Sequence, residues 1–317
     1  GAVDRVVATG GTLGAVVRSA VLLAADELPP SLNGASIGVD DLERLADLVG
    51  RLSPAQRKRR LRLSSRRAVL LTAGVAVALA GLRAAGCDRL ALCDWGLREG
   101  MLLEMLGEGG EGSSPRVAER SAEELAGRLG VDLGHARHVA ALATELFDRT
   151  VMLHRLEPAD RRLLEVAALC HDVGQAVAGD RHEQHGAYIV QNAGLRGLDP
   201  SSVAAVATLV RYHRRGTPGV DFGPFADLSA PRRQAVTTLV ALLRMAEALD
   251  YGQRRAVAAV ELRMDARKVV VAADPRPGAD VTLELWSAAQ CADLFEAVFG
   301  RRLDVVVAEA APAIAAG

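Results

Sequence analysis

Aromatic residues make up only 3% of this 317-residue chain, so its core has to be built from Ala, Val and Leu. Lysine is nearly absent: Lys58 and Lys268 stand against a large excess of arginine. The four cysteines, Cys87, Cys93, Cys170 and Cys291, are scattered and form no C-x-x-C pair. That spacing excludes a disulfide framework and a thiolate zinc site, and it suits a reducing cytoplasm. No signal peptide is visible. No apolar run reaches the ~20 residues that a membrane span needs. The longest, Ala68–Leu82, reads as a buried helix or strand pair. A net charge of −1 gives no global pull towards nucleic acid or membrane. The chain also lacks an initiator Met and opens from Gly1 directly on a strand-like run, Arg5-Val6-Val7-Ala8. An upstream segment is therefore expected to have been cut away.

What is present is a globular composition, 50% hydrophobic and 24% charged, and long enough for two or three domains. The expected fold class is α+β, mainly helical. Residues 4–9 read as a strand that turns at Thr9-Gly10-Gly11-Thr12 into a helix reaching about Ala24. Asp40–Leu52 has the apolar spacing of an amphipathic helix. Leu90–Cys93 reads as a strand, and a helix follows from Asp94 to Leu106. Gly107–Pro115, rich in Gly, Ser and Glu, is the best linker. Residues 117–250 read as all-helical. The period then changes, and Val257–Leu262, Val269–Val271 and Val281–Leu285 read as strands. A helix from about Ala288 and a last strand, Leu303–Val307, complete a small α/β unit. The division is 1–112, 116–252 and 253–317.

Cys170-His171-Asp172 closes an apolar segment, Leu163–Leu169, and Gly174 follows. An unpaired carboxylate buried there would cost several kcal/mol or take up a proton. A metal ion or a tight hydrogen-bond network removes that penalty, so the question is whether other ligands exist. His135, Val139, Leu142 and Leu146 share one helical face. Val203, Val206, Val210 and His213 share another, behind the Asp199-Pro200 start. Leu239, Leu243, Ala246 and Asp250 share a third. Three helices thus each carry a ligand-type residue on a buried stripe. His182-x-x-His185 offers two more candidates, and the set taken forward is His135, His171, Asp172, His185, His213 and Asp250. Imidazole and carboxylate donors without thiolate suit Zn, Mn, Fe or Mg. Each histidine taken alone fits a hydrogen-bonded core residue better than a ligand, and only the ordered set leaves both readings open.

The order His135 with Val139, then His171-Asp172, then Asp250 resembles the HD superfamily, whose members bind divalent metal there and hydrolyse phosphate esters. Four longer stretches narrow the resemblance: Asp4–Thr12, Cys93–Leu102, His182–Val190 and Leu209–Arg214. Together they are similar to the exopolyphosphatase / guanosine pentaphosphate phosphatase family, in that family's order and over essentially the whole chain. The resemblance implies a two-lobed actin-like (ribonuclease H-like) phosphatase core, an all-α HD-like domain and a small C-terminal α/β domain. It implies a Mg-dependent hydrolase that releases terminal phosphate from polyphosphate or guanosine pentaphosphate, cytoplasmic and a homodimer. On this reading residues 1–112 are the remnant of the second lobe. The first lobe, with its phosphate loop and catalytic acid, would lie upstream, so no catalytic residue of the actin-like site is identifiable here. Val69 and Glu183 depart from the family's usual residues.

Gly10, Gly11 and Thr12 form the one remaining loop of that core. Backbone N–H groups of a Gly-rich turn before a helix can hold a phosphate, although the same residues also fit a tight strand-to-helix turn. Arg98-Glu99 reads as a structural ion pair. The basic run with Arg57, Arg59, Arg60 and Arg62 suits a polyanion such as polyphosphate. A solvated helix face is the plainer reading of the same run. No aromatic residue interleaves the run, which argues against stacking on single-stranded bases.

Overall fold

The structure, a computed structural model, describes residues 6–25, 27–29, 31–105 and 116–308. The chain divides into two compact units: residues 1–117 with 196–200, and residues 118–195 with 201–317. The Gly107–Pro115 linker lies outside the described residues.

The first unit runs β1 (Val6–Thr9), α1 (Gly11–Ala25), β2 (Ser36–Gly38), α2 (Val39–Arg51), α3 (Pro54–Arg60), α4 (Ser65–Ala85), β3 (Arg89–Cys93) and α5 (Leu97–Met105). Its sheet has the order β1-β3-β2, with β1 parallel to β3 and β2 antiparallel to it. The core joins sheet residues Ala8, Ile37, Leu90 and Leu92 to Val16 and Val17 of α1, Leu42, Leu45 and Val49 of α2, and Leu71, Val75 and Leu82 of α4. Gly74 lets α1 and α4 approach: a Cβ there would lie 2.9 Å from Thr12 Cγ2 and 3.0 Å from Val16 Cγ2.

Helix α4 corrects the argument from run length. Its N-cap Ser64 accepts from the Arg67 N–H, and it continues to Gly86, which closes it at φ 66°. The helix spans 21 residues and is long and apolar enough to cross a membrane by length and composition. Length therefore does not exclude a span. One stripe of it, Ala68, Leu71, Val75, Ala78 and Leu82, is buried in the unit's core.

The basic run is also corrected in part. Arg57 donates from Nε and Nη2 to the Val49 carbonyl at 3.1 and 2.8 Å, and from Nη1 to the Ala68 carbonyl. Its guanidinium ties α3 to α2 and α4 and is not free for a polyanion. Arg59, Arg60 and Arg62 are exposed. Arg57→Ala should destabilise by about 1–3 kcal/mol, because it leaves two carbonyls under-satisfied. Arg59→Ala and Arg60→Ala should stay within about 0.5 kcal/mol of the parent in the same urea melts.

The second unit contains α6 (Val117–Arg128), α7 (Leu133–His154), α8 (Pro158–Leu169), a 3-10 turn (Val173–Ala176), α9 (His182–Asn192), α10 (Pro200–Tyr212), the short α11 (Gly223–Ala226) and α12 (Ala230–Ala248). After them come β4 (Val257–Met264), β5 (Lys268–Pro275), α13 (Thr282–Ala289), α14 (Ala292–Phe299) and β6 (Arg302–Val307). β4 and β5 are antiparallel, and β6 joins β5 in parallel. The 253–317 segment does not stand apart: it falls in the same compact unit as the helices. The Val260 N–H of β4 donates to Glu145 of α7. Residues 281–285, read as a strand, open α13 instead. Asp280 Oδ1 accepts from the backbone N–H and hydroxyl of Thr282, the first residue of that helix. Val281, Glu284 and Ala288 then fall on its buried side.

Burial sorts the cysteines. It pushes the Cys170 thiol up to about 12 and the Cys291 thiol up to about 11, while Cys87 and Cys93 are half-buried. A thiol reagent at pH 8 should label Cys87 and Cys93 in the native protein, and Cys170 and Cys291 only after denaturation. Rapid native labelling of all four would contradict this packing.

Candidate metal centre

Asp132 opens the site. It is the N-cap of α7, and its Oδ1 accepts from the N–H groups of Gly134 and His135 at 2.7 and 3.2 Å. His135 is thereby fixed in the first turn, on the stripe that carries Val139, Leu142 and Leu146 into the core. Helix α8 ends at Leu169, and His171 and Asp172 occupy the turn that leads to the 3-10 segment. Gly174 in that segment is pressed against the start of α9. A Cβ there would meet the His182 carbonyl oxygen at 1.9 Å and the Gly186 nitrogen at 2.5 Å. That approach brings His182, the first residue of α9, beside Asp172. His213 follows α10, and Glu247 lies in the last turn of α12, with Asp250 just beyond it.

The four histidines share one arrangement. His135 Nδ1 donates to Asp250 Oδ2 at 2.8 Å. His171 Nδ1 donates to the Ala168 carbonyl at 2.6 Å, His182 Nδ1 to the Gly179 carbonyl at 3.1 Å, and His213 Nδ1 to the Val210 carbonyl at 2.8 Å. A carbonyl only accepts, so these bonds place the hydrogen on Nδ1 and turn Nε2 inward. The Nε2 atoms of His135 and His171 lie 3.2 Å apart, and those of His182 and His213 lie 3.3 Å apart. Glu247 Oε2 is buried, has no hydrogen-bond partner, and sits 3.2 Å from His135 Nε2 and 3.1 Å from His171 Nε2. Two inward lone pairs at such a distance repel unless a proton or a cation stands between them. Outer hydrogen bonds of this kind are what orients imidazole ligands around metals.

Charge is tuned in the same sense. Burial works against a proton on His135, but Asp250 and Glu247 outweigh it and hold this imidazole up at about 10. Burial would raise the carboxyls of Asp172 and Glu247, yet the histidines around them, His171 foremost, keep both well below the usual range. Burial pulls His213 down to about 4, with the charge on His171 adding to it. Two anionic carboxylates therefore face a nest of imidazoles. Protons on His135 and His171 take the position that a metal's charge would occupy. The donor set contains nitrogen and oxygen and no sulfur, so it fits a divalent ion such as Zn, Mn, Fe or Mg. A cavity of about 220 Å³, lined by Asp132, Asp172, Gln175 and Gln253 among others, lies beside it.

Of the residues expected from sequence, His135, His171, Asp172 and His213 converge here. His185 does not; it is half-buried in α9, and His182 takes its place. Asp250 meets the cluster from outside, through His135 Nδ1, and the inner carboxylate is Glu247. Glu247 was legible in principle, since Leu239, Leu243 and Glu247 continue one stripe at four-residue spacing. Gly10, Gly11 and Thr12 lie elsewhere, in the first unit. Gly10 turns the chain at φ 84°, Gly11 opens α1, and all three residues are exposed. Glu99 Oε2 accepts from the Gly96 N–H at 2.8 Å, and the charge of Arg98 acts on the same carboxylate.

Comparison with known proteins fits both units. Residues 2–108 match the Ppx/GppA phosphatase family, and residues 117–273 match Ppx/GppA phosphatase, domain III. A guanosine-5'-triphosphate,3'-diphosphate pyrophosphatase of Aeromonas hydrophila subsp. hydrophila is 28% identical over 177 residues, which is 55% of this chain and 35% of that protein. A crystal structure of the Aquifex aeolicus Ppx/GppA family member aligns at 28% identity and a TM-score of 0.31, over 35% of this chain and 37% of that one. A type II variant of the Aquifex aeolicus Ppx/GppA phosphatase aligns at 28% identity and a TM-score of 0.29, over 33% and 35%. The matched part thus spans about a third of these relatives' length. Two consecutive portions of one family are matched here by the two halves of the described chain, and the chain belongs to the Ppx/GppA phosphatase family.

Proposed function

We propose that this chain is part of a phosphohydrolase that releases terminal phosphate from inorganic polyphosphate or guanosine pentaphosphate, with Mg, and that its helical unit is accessory to that reaction. The observation that carries this reading is the ordered pair of family matches, 2–108 and 117–273. The name of the Aeromonas relative adds support for the guanosine substrate class. In this reading the turn Gly10-Gly11-Thr12 at the start of α1 contacts phosphate, and exposed Arg59, Arg60 and Arg62 attract a polyanion. The test is phosphate release from both substrates. The protein carrying a complete core should be active with Mg, and its inactivity on both would overturn the reading. The 317-residue chain alone should be inactive, since it holds no identifiable catalytic acid for that core.

A second reading is favoured by the histidine cluster. The helical unit then acts as a metal-dependent phosphohydrolase in its own right. His135, His171, Asp172, His182, His213 and Glu247 would hold the metal. A divalent ion there would polarise a phosphoryl oxygen of a bound ester. The chain's own part is to orient the donors through Asp250 and the three carbonyls, and to present Gln175 and Gln253 as hydrogen-bonding groups beside Asp172. Purified protein should contain a first-row divalent metal, and His171→Ala should lose it. Metal-free protein with an unaltered His171→Ala variant would sink this reading.

A further inference from the structure

Charge in the first unit is segregated along the chain. Residues 48–87 contain nine Arg and Lys and no Asp or Glu, in a chain whose net charge is −1. Six of these cations, Lys58, Arg59, Arg60, Arg62, Arg66 and Arg67, gather where the end of α3 meets the start of α4, and all six are exposed. None of them forms an ion pair among the described residues. Arg66 also begins a line along α4. Arg66, Leu70, Ala73, Val77, Ala80 and Ala84 follow at i, i+4, i+7, i+11, i+14 and i+18, and every one is exposed. Val69 flanks the line at 59% exposure, and Val77 on it reaches 64%. No charged residue interrupts α4 between Arg67 and Arg83. A water-facing helix stripe ordinarily carries charged and polar residues. This one carries Val, Leu and Ala, with a cluster of cations at one end.

We infer that this face docks on the surface of an anionic lipid bilayer, with the α3–α4 cations at the headgroup phosphates and Val69, Leu70 and Val77 at the acyl boundary. Charge complementarity selects the occupant. A soluble polyanion matches the cations but offers nothing to the apolar line beside them. A second copy laid face to face through α4 covers the apolar line but brings no carboxylate from residues 48–87. An anionic bilayer matches both: basic side chains sit among its headgroups while the apolar side of the same helix enters the boundary below them. Helix α4 lies on the bilayer and does not cross it, because Ala68, Leu71, Val75, Ala78 and Leu82 on its other side belong to the unit's core. Membrane docking stands apart from phosphate release, although Arg59, Arg60 and Arg62 would serve both.

The test is co-sedimentation of the 317-residue protein with vesicles of phosphatidylcholine alone and of phosphatidylcholine mixed with phosphatidylglycerol. The protein should partition onto the mixed vesicles and stay in solution with the neutral ones. Arg59→Ala and Arg60→Ala should each lower the partition coefficient about fivefold. Val69→Ser with Val77→Ser leaves every charge in place and should lower it about tenfold or more. Both valines are exposed, so the circular dichroism of that variant should match the parent. Val69→Thr with Val77→Thr keeps the side-chain shape and replaces the serine pair if that pair does not fold. Equal partition onto the two vesicle types, or onto neither, would overturn the inference. So would serine and threonine pairs that bind like the parent, since the cations would then act alone, as towards any soluble polyanion. A lipid-free dimer of the parent that the serine pair converts to monomer would assign the face to a second copy and overturn it as well.

Discussion

Gly174→Ala should destabilise the protein by about 3 kcal/mol, the upper end of what overpacking usually costs. The added Cβ would fall 1.9 Å from the His182 carbonyl oxygen and 2.5 Å from the Gly186 nitrogen. Both are backbone atoms, so no rotamer change relieves the contact, and the start of α9 has to move. The residue is not in the left-handed region, so the penalty is steric and not conformational. For a unit of this size the melting temperature should fall by roughly 6–12 °C. Gly186→Ala should cost less, because its nearest neighbour is the Val210 Cγ1 methyl at 2.8 Å, a side-chain atom. Gly179→Ala is the control: nothing lies within 4 Å of its Cβ position, and it keeps the carbonyl that orients His182. Thermal melts of the three variants should rank in that order. A Gly174→Ala protein as stable as Gly179→Ala would show that α9 does not sit where the structure puts it.

The same contact explains which parts of the site the sequence could announce. His171-Asp172 at the end of an apolar helix is an energetic anomaly, and anomalies are visible without coordinates. His135 and His213 are visible because each rides a stripe of 3.6 period. The choice between His182 and His185 is not visible, since it depends on where α9 begins. It begins at His182, after Arg181 takes φ 52°, and the tight approach at Gly174 turns that first residue inward. Glu247 and Asp250 lie on one face three residues apart, so periodicity names both. Only the end of α12 at Ala248 separates them, leaving Glu247 in the cluster and Asp250 behind His135. In the first unit, β2 is three residues long, too short for any alternation to register. The pattern Val281-Thr282-Leu283-Glu284-Leu285 alternates as a strand would, but Thr282 starts a helix, its N–H held by Asp280. Arg57 read as a free charge because sequence does not show two helix carbonyls within its reach.

Chelation should lower the melting temperature of the protein by roughly 5–11 °C relative to protein saturated with Mn(II). A ligand bound only to the folded state at 100 times its Kd contributes about 2.7 kcal/mol, and at this size each kcal/mol moves the midpoint by about 2–4 °C. The donors that would bind an ion come from α7, the α8 turn, α9, the end of α10 and α12, and the unfolded chain has no such convergence. The whole binding energy therefore appears as folding energy. Without the ion the cluster is held by protons instead: His135, held up at about 10, donates to Asp250 and faces Glu247. This proton network keeps the metal-free protein folded, so chelation should shift the midpoint and not abolish the transition. His171→Ala removes an inner donor shared by two of the ligand groups, and its midpoint should no longer respond to Mn(II) or to chelator. Asp250→Asn keeps every inner donor and changes what His135 Nδ1 and the Arg255 N–H meet. It should respond to Mn(II) with an affinity lower by about 10–100-fold, the usual effect of losing an outer partner. Identical melts of the parent with Mn(II) and with chelator would mean that four inward imidazoles and two buried carboxylates serve packing alone.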